Sequence, residues 1–271
     1  MNDLSSDSRG QTTLLLAPWS KGSIGKNDGC KDAPSMIVDA LKNFFLDEFG
    51  LNKDYSITSI DVHDDQFQAT HDAVAEAVRL VRKKFILLGG DHSLTFPSVK
   101  SFVSLYKDAR LLIFDAHLDM ESDFLPPTHE DFLRALITGG FLSPEQVLLV
   151  GVRHWHDEED RFLKDHHVRL LSMRSIARFG LTKTIEEVLS FVGDHPLYLS
   201  LDIDAIDPAF APGTGYPEPG GLSSREVLSV IHALKEHAHL LAADVVEVNP
   251  HRDVASLTTL LAAKLVKELL W

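Results

Sequence analysis

The stretch "RLLIFDAHLD", residues 110–119, decides the fold. Its apolar run ends at Phe114 and is followed at once by Asp115, His117 and Asp119 at alternate positions. A continuous apolar run is typical of a strand buried on both faces of a parallel sheet. Alternate residues of an extended segment point to the same side, so the three polar side chains converge just beyond the strand. Two carboxylates and an imidazole that close together require a positive charge among them.

Similar apolar runs occur at seven other places: "TTLLLAP", "SITSIDV", "KFILLGG", "QVLLVGV", "VRLLS", "PLYLSLDID" and "LLAADVVEV". Apolar residues at helical spacing occur in "HDAVAEAVRLVRKK", in residues 182–192, in "SREVLSVIHALKEH" and in "VASLTTLLAAKLVKELLW". This alternation predicts an α/β fold, a three-layer α/β/α sandwich with a mainly parallel sheet of about eight strands. We expect a single domain over residues 1–271, because no linker or repeat divides the chain.

Composition excludes several classes of partner. The chain has 271 residues and a net charge of −14, which disfavours nucleic acid and favours cationic small molecules or metal ions. No apolar run approaches the roughly 18 residues of a membrane helix, so we expect no membrane contact. The single cysteine, Cys30, and the polar N-terminal segment "MNDLSSDSRGQ", which lacks the features of a signal peptide, indicate a cytoplasmic protein.

Metal-ligand side chains follow four of the predicted strands, where ligands bind in parallel sheets. They are His92, Asp115, His117, Asp119, Asp202, Asp204, Asp207 and Glu247. Such an oxygen-rich set without thiolates suits Mn²⁺, or Co²⁺ or Fe²⁺, better than structural zinc. The number of carboxylates indicates two ions with shared ligands, a centre that can lower the pKa of water and promote hydrolysis.

Each segment taken alone also has a structural reading. "GGDHS" resembles a tight turn, "DAHLD" a solvated strand end, and "DIDAIDP" a capping turn. Their joint occurrence after buried strands favours a shared metal site. Four further histidines, His154, His156, His166 and His167, are interpreted as a solvated helix face next to an aromatic residue.

The chain resembles the ureohydrolase family of arginases and agmatinases. "GGDHS", "LLIFDAHLD" and "SLDIDAIDPAFAPGTGYPEPGG" are similar to the three characteristic segments of that family, in the same order, and "VVEVNP" is similar to its late segment. The resemblance implies an arginase-like fold and two Mn²⁺ ions per chain. It implies that one ion is bound by His92, Asp115, Asp119 and Asp202, and the other by Asp115, His117, Asp202 and Asp204.

The resemblance also implies three catalytic roles. Hydroxide held between the ions attacks a guanidinium carbon, releasing urea and an amine, and Asp119 orients this hydroxide. Glu247 pairs with the guanidinium, and His129 in "PPTHEDFLRAL" transfers a proton. The family usually has glycine after this histidine, whereas this chain has Glu130. Alternatively, "THED" only caps a helix through Thr128.

The substrate is less well indicated. The loop "MESDFLPPT" contains Glu121 and Asp123, which would repel the α-carboxylate of arginine and attract a small cationic guanidino substrate such as agmatine. Alternatively, both side chains point to solvent. An agmatinase-like enzyme is therefore preferred over an arginase, a formiminoglutamase or another guanidino-acid hydrolase.

Two readings lie outside this reaction class. One is a deacetylase of related fold, which would need one zinc and fewer carboxylates. The other is a metal-free, non-catalytic relative with a binding role, which would have lost ligands, whereas all six are present. Family members are often homo-oligomers, so we also expect an oligomer, with a trimer or hexamer possible.

Overall fold

An all-parallel sheet forms the centre of the structure, a computed structural model that describes residues 11–63, 66–81 and 84–271. Within these residues it contains eight strands in the order β2-β1-β3-β8-β7-β4-β5-β6. The strands are β1 Thr12–Leu16, β2 Tyr55–Ser59, β3 Phe85–Leu88, β4 Arg110–Phe114, β5 Val147–Val150, β6 Arg169–Leu171, β7 Pro196–Asp202 and β8 His239–Val246. The predicted sheet is therefore confirmed. The signal-peptide prediction falls mainly on residues 1–10, outside the described residues.

Eight α-helices of the described residues cover the sheet on both faces. They are α1 Ala33–Leu41, α2 Phe67–Leu80, α3 Thr95–Leu105, α4 Phe132–Thr138, α5 Asp157–Asp165, α6 Met173–Val192, α7 Ser224–His237 and α8 Leu257–Leu269. One hydrophobic cluster joins α1, α6, α7 and α8 to the sheet, and a second joins α2, α3, α4 and α5. Neighbouring strand residues such as Leu14 and Leu15 belong to opposite clusters, as alternation along a strand requires. This confirms the three-layer sandwich.

The predicted helices agree with the structure to different degrees. Helix α7 spans the predicted residues, and α8 lies within the predicted C-terminal helix. Residues 182–192 form only the second part of α6, which is kinked at Gly180 with φ 81° and ψ 167°. Glycine adopts this conformation without the steric cost that a side chain would add. In the described part of the chain, no helix is long and apolar enough to span a membrane.

Candidate metal centre and active site

The sheet order explains why distant segments meet. Strands β3, β8, β7 and β4 are consecutive neighbours and run in parallel, so their carboxyl ends share one edge. His92 follows β3, Asp115 follows β4, Asp202 ends β7, and Glu247 follows β8. All four are almost completely buried. Each predicted site residue therefore lies at this edge or on a loop that returns to it.

Three carboxylates surround the imidazole of His92. Its Nδ1 lies 3.2 Å from an oxygen of Asp115, 3.0 Å from one of Asp119 and 3.2 Å from one of Asp202. Asp119 holds this position with a left-handed backbone, φ 52°, which costs a residue with a side chain about 1–3 kcal/mol. The surrounding fold imposes this geometry, as is common at functional sites.

A second group forms around His117. Its Nδ1 lies 3.1 Å from Asp204 Oδ2 and 3.5 Å from Asp115 Oδ1. The ligand atoms of His92, Asp115 and Asp119 lie within 4.8 Å of one another, as do those of Asp115, His117 and Asp204. Because Asp115 belongs to both groups, the two possible metal positions are adjacent.

The donor set fits bound cations. His92 Nδ1 and Asp115 Oδ2 are buried and have no hydrogen-bond partner among the described residues, although both face the cluster. Leaving such buried groups unpaired costs about 1–3 kcal/mol each. Oxygen and imidazole donors without thiolate suit Mn²⁺ or a similar divalent ion.

The pKa values of the clustered carboxyl groups reflect their burial and their closeness to one another. Burial and the charge of Asp115 raise the pKa of Asp119 to about 8. Burial, with the charges of Asp204 and Asp115, raises the pKa of Asp202 well above its ordinary value. Burial also disfavours the charged form of Asp115, but the adjacent imidazoles of His117 and His92 lower its pKa overall. A bound dication would make all these carboxylates ionised together.

A buried network fixes the orientation of His92. The Ser200 hydroxyl donates to Asp244 Oδ1 over 2.7 Å, so it accepts from His92 Nε2–H, which lies 2.9 Å away. This tautomer leaves the Nδ1 lone pair directed at the carboxylates. Tyr198 and Thr95 donate to the other oxygen of Asp244. Sequence analysis missed Ser200 and Asp244, although both are polar residues within otherwise apolar strands.

Glu247 has a left-handed backbone, with φ 62°, and a carboxylate held by three donors. Oε1 accepts the backbone N–H of His92 at 2.8 Å and lies 3.1 Å from His129 Nδ1. Oε2 accepts from the side chain of Asn27, which is completely buried and also donates to the backbone carbonyl of Glu247. Burial raises the pKa of Glu247, but His129 and the hydrogen bonds lower it overall. Asn27 was not predicted.

His129 lies in the site rather than at a helix cap. Its side chain is buried, and its backbone N–H donates to Gly22 O over 3.1 Å. Burial lowers its pKa, but the carboxylate of Glu247 raises it overall to about 9. Asp131 is the N-cap residue of helix α4, but its side chain makes no capping hydrogen bond and instead accepts from Thr128. Thr128 therefore supports the cap residue and does not cap the helix itself.

A cavity of about 270 Å³ opens onto the cluster. Its lining consists of Lys26, His117, Asp119, Glu121, His129, Glu130, His154, His156, Glu159, Asp202, Asp204, Tyr216, Glu218 and Glu247. The interpretation of His154 and His156 as a solvated helix face was wrong, because both precede α5 and line this cavity. Glu121 lines the cavity, whereas Asp123 is exposed outside it.

Two loops of the cavity wall are joined by Arg153. Its guanidinium donates to the backbone carbonyls of Glu218 and Asp204, over 2.6 Å and 2.7 Å respectively. His154 next to it pairs with Glu218 at 2.9 Å. Asp207 is not part of the cluster, because its carboxylate accepts the backbone N–H groups of Ala209, Gly220 and Gly221.

The fold and the candidate metal site define a class of α/β protein, and comparison with known proteins agrees with the resemblance seen in the sequence. The model of the arginase family matches residues 11–271, so the chain belongs to the arginase family. The structure of proclavaminate amidino hydrolase from Streptomyces clavuligerus superposes with a TM-score of 0.88 at 27% identity, covering 97% of this chain and 91% of that one.

Curated relatives differ in the substrates their names imply. Guanidinopropionase of Pseudomonas aeruginosa is 35% identical over 188 residues, 68% of this chain and 58% of that protein. Agmatinase of Enterobacter sp. is 34% identical over 199 residues, 73% of this chain and 63% of that protein. The matched stretch thus spans less than two thirds of the length of these relatives.

Proposed function

We propose that this protein is a binuclear manganese hydrolase that cleaves a guanidino compound to urea and an amine. One observation supports this best: two carboxylate–imidazole groups share Asp115 at the floor of a cavity that also contains Glu247 and His129. One ion would be held by His92, Asp115, Asp119 and Asp202, and the other by Asp115, His117, Asp202 and Asp204. The two ions supply Lewis acidity and lower the pKa of water towards neutrality.

The residues around the ions have separate tasks. Glu247, kept ionised by its donors, forms a charge-assisted pair with the planar guanidinium and fixes its orientation. Asp119 accepts a hydrogen bond from the attacking water and directs it at the guanidinium carbon. His129, whose pKa of about 9 keeps it protonated at neutral pH, donates a proton to the leaving nitrogen.

The charge of the cavity favours a substrate with a cationic tail. Besides the cluster, five glutamates line it, whereas Lys26 is the one lysine or arginine among the described lining residues. Glu159 accepts backbone N–H groups with both oxygens, so it cannot turn towards a ligand without losing them. Glu130 lies 3.6 Å from the ammonium of Lys26, so Glu121 and Glu218 remain to attract an amine and repel an α-carboxylate. We therefore prefer agmatine to arginine, and a formimino acid is disfavoured for the same reason.

Compartment and assembly are part of the proposal. A single, buried cysteine suits a reducing, cytoplasmic environment. Exposed apolar side chains at the start of α8 and just before it, Val254, Leu257 and Leu260, support a homo-oligomer. We further propose that residues 1–271 act as one domain.

A urea-release screen tests the proposal. Purified protein, loaded with Mn²⁺, is assayed for urea with agmatine, arginine and 4-guanidinobutyrate and for formamide with formiminoglutamate, and an EDTA-treated sample serves as control. We expect metal-dependent urea release that is fastest with agmatine. Release from arginine but not agmatine would overturn the substrate preference. No turnover of any guanidino compound by metal-loaded protein would overturn the proposed reaction and favour a non-catalytic relative.

A further inference from the structure

His129 is almost completely enclosed, and this raises the question of how it exchanges protons with solvent. Only 6% of its side chain is exposed, and Nδ1 faces Glu247 at 3.1 Å. The other ring nitrogen, Nε2, has no hydrogen-bond partner among the described residues. It lies 3.7 Å from Glu130 Oε1. Glu130 is therefore the carboxylate placed next to the free nitrogen of the proposed proton donor.

Glu130 lies between this buried ring and solvent. Its side chain is 38% exposed and lines the mouth of the cavity. Oε1 accepts from the Tyr216 hydroxyl over 3.3 Å and lies 3.6 Å from the ammonium of Lys26. The Lys26 ammonium in turn lies 5.1 Å from the centroid of the Tyr216 ring. These contacts hold the carboxylate at one position instead of leaving it free on the surface.

We propose that Glu130 is the outer member of a proton relay that connects His129 to solvent, an inference that rests on the proposed function. As the C–N bond breaks, its electron pair stays on the leaving nitrogen, which takes the proton of His129 Nε2. His129 recovers a proton through Glu130, which is itself protonated by solvent. Of the two protons lost by the attacking water, one passes within the site to the leaving nitrogen and the other leaves along the same route. Guanidinium and water thus give urea and an ammonium product with no net proton uptake.

Other charged groups around the relay do not replace Glu130. Glu247 faces Nδ1, and the carboxylates of Asp119 and Asp91 act on His129 through space. Lys26 is held protonated, because its hydrogen bond with Tyr216 and the charge of Glu130 raise its pKa. Burial first, and the charge of Glu130 after it, raise the pKa of Tyr216. Near neutral pH neither group therefore exchanges protons as readily as a carboxylate.

The alternative is that Glu130 only shapes the cavity mouth through Lys26 and Tyr216. Glu130→Gln separates the two roles, because the amide oxygen can still accept from Tyr216 but the side chain cannot transfer a proton. We expect kcat to fall about tenfold with KM within about twofold, less than the loss of a direct general acid because water still reaches the mouth. Glu130→Ala should regain kcat as acetate is added, since acetate can take the place of the missing carboxylate.

Glu121→Gln and Glu121→Ala are the matched controls. They remove a carboxylate from the same cavity and should change KM without any effect of acetate on kcat. A raised KM with unchanged kcat in Glu130→Gln, or no effect of acetate on the kcat of Glu130→Ala, would overturn the relay. Glu130 would then only shape the mouth of the cavity.

A measurement without substrate separates this inference from the proposed function. Exchange of the His129 ring protons with solvent, followed by NMR of protein labelled in histidine, should slow about tenfold in Glu130→Gln. Unchanged exchange overturns the relay even if the enzyme releases urea. Slowed exchange in a protein that releases no urea from any guanidino compound supports the relay and refutes the proposed reaction.

Discussion

Replacing Asp119 by asparagine should make the metal-free protein more stable, although it removes a proposed metal ligand. The pKa of Asp119 is about 8, against an ordinary value of 3.8, because burial and the charge of Asp115 disfavour ionisation. The folded state therefore retains a proton that the unfolded chain loses. The contribution of Asp119 to wild-type stability therefore falls as the pH rises from about 4 to about 8. At about pH 8 its carboxyl group also ionises in the folded state. Asparagine does not titrate and escapes this loss.

The magnitude follows from the size of the shift. Between the ordinary pKa of 3.8 and pH 7, wild-type stability falls by about 1.36 kcal/mol per pH unit. The total loss at pH 7 is therefore about 4 kcal/mol. Neighbouring carboxylates share the titration, so a single substitution should recover only about half of this loss. We therefore expect Asp119→Asn to raise the free energy of unfolding by about 2 kcal/mol. The gain should be close to zero near pH 4 and grow up to pH 8.

Urea unfolding of EDTA-treated protein at several pH values measures this gain. Asp123→Asn, the same change at an exposed position of the same loop, is the control and should have little effect. With Mn²⁺ at about 100 times Kd the wild type should gain about 2.7 kcal/mol for each of the two proposed ions, and Asp119→Asn much less. An EDTA-treated Asp119→Asn protein that is less stable than wild type, or a difference that does not change with pH, would refute the reasoning.

Three further substitutions test the other parts of the site. Glu247→Gln should raise KM for the guanidino substrate about tenfold to a hundredfold in steady-state assays, since a charge-assisted contact is lost; an unchanged KM would argue against this pairing. Ser200→Ala should weaken Mn²⁺ binding about tenfold in a chelator competition, because His92 loses its orienting partner; equal affinity would exclude that role. Glu121→Gln should reduce the preference for agmatine over arginine, measured as the ratio of their kcat/KM values, about fivefold, because one exposed charge contributes about 1 kcal/mol. An unchanged ratio would mean that Glu121 does not interact with the amine end of the substrate.

The strands and the metal cluster could be read from the sequence because both depend on local patterns. Strands buried on both faces are continuous apolar runs, and parallel strands end at one edge, so "GGDHS", "DAHLD" and "DIDAIDP" had to lie near one another. Helices α1, α3 and α4 were not among the predicted helical segments, whereas α5 lies within the stretch that was interpreted as a solvated helix face. Helix α3 is buried around most of its circumference and shows no apolar stripe, and α4 has only seven residues.

Supporting residues were harder to predict, because their partners are remote in the chain. Asn27 and Glu247 are 220 positions apart, and no pattern near either residue indicates the other. Ser200 and Asp244 stand out as polar residues in apolar strands, but only the sheet order makes them neighbours of His92. The error for His154 and His156 arose because an acidic helix follows them, whereas the loop before that helix turns into the cavity.

The central claim is that the buried carboxylates and imidazoles hold two divalent cations. Anomalous diffraction at the manganese edge, from crystals of protein loaded with Mn²⁺, tests it most directly. We predict two peaks of full occupancy about 4 Å apart, one beside His92, one beside His117, with Asp115 between them. A single peak, or none, with these side chains unchanged around it, would contradict the account.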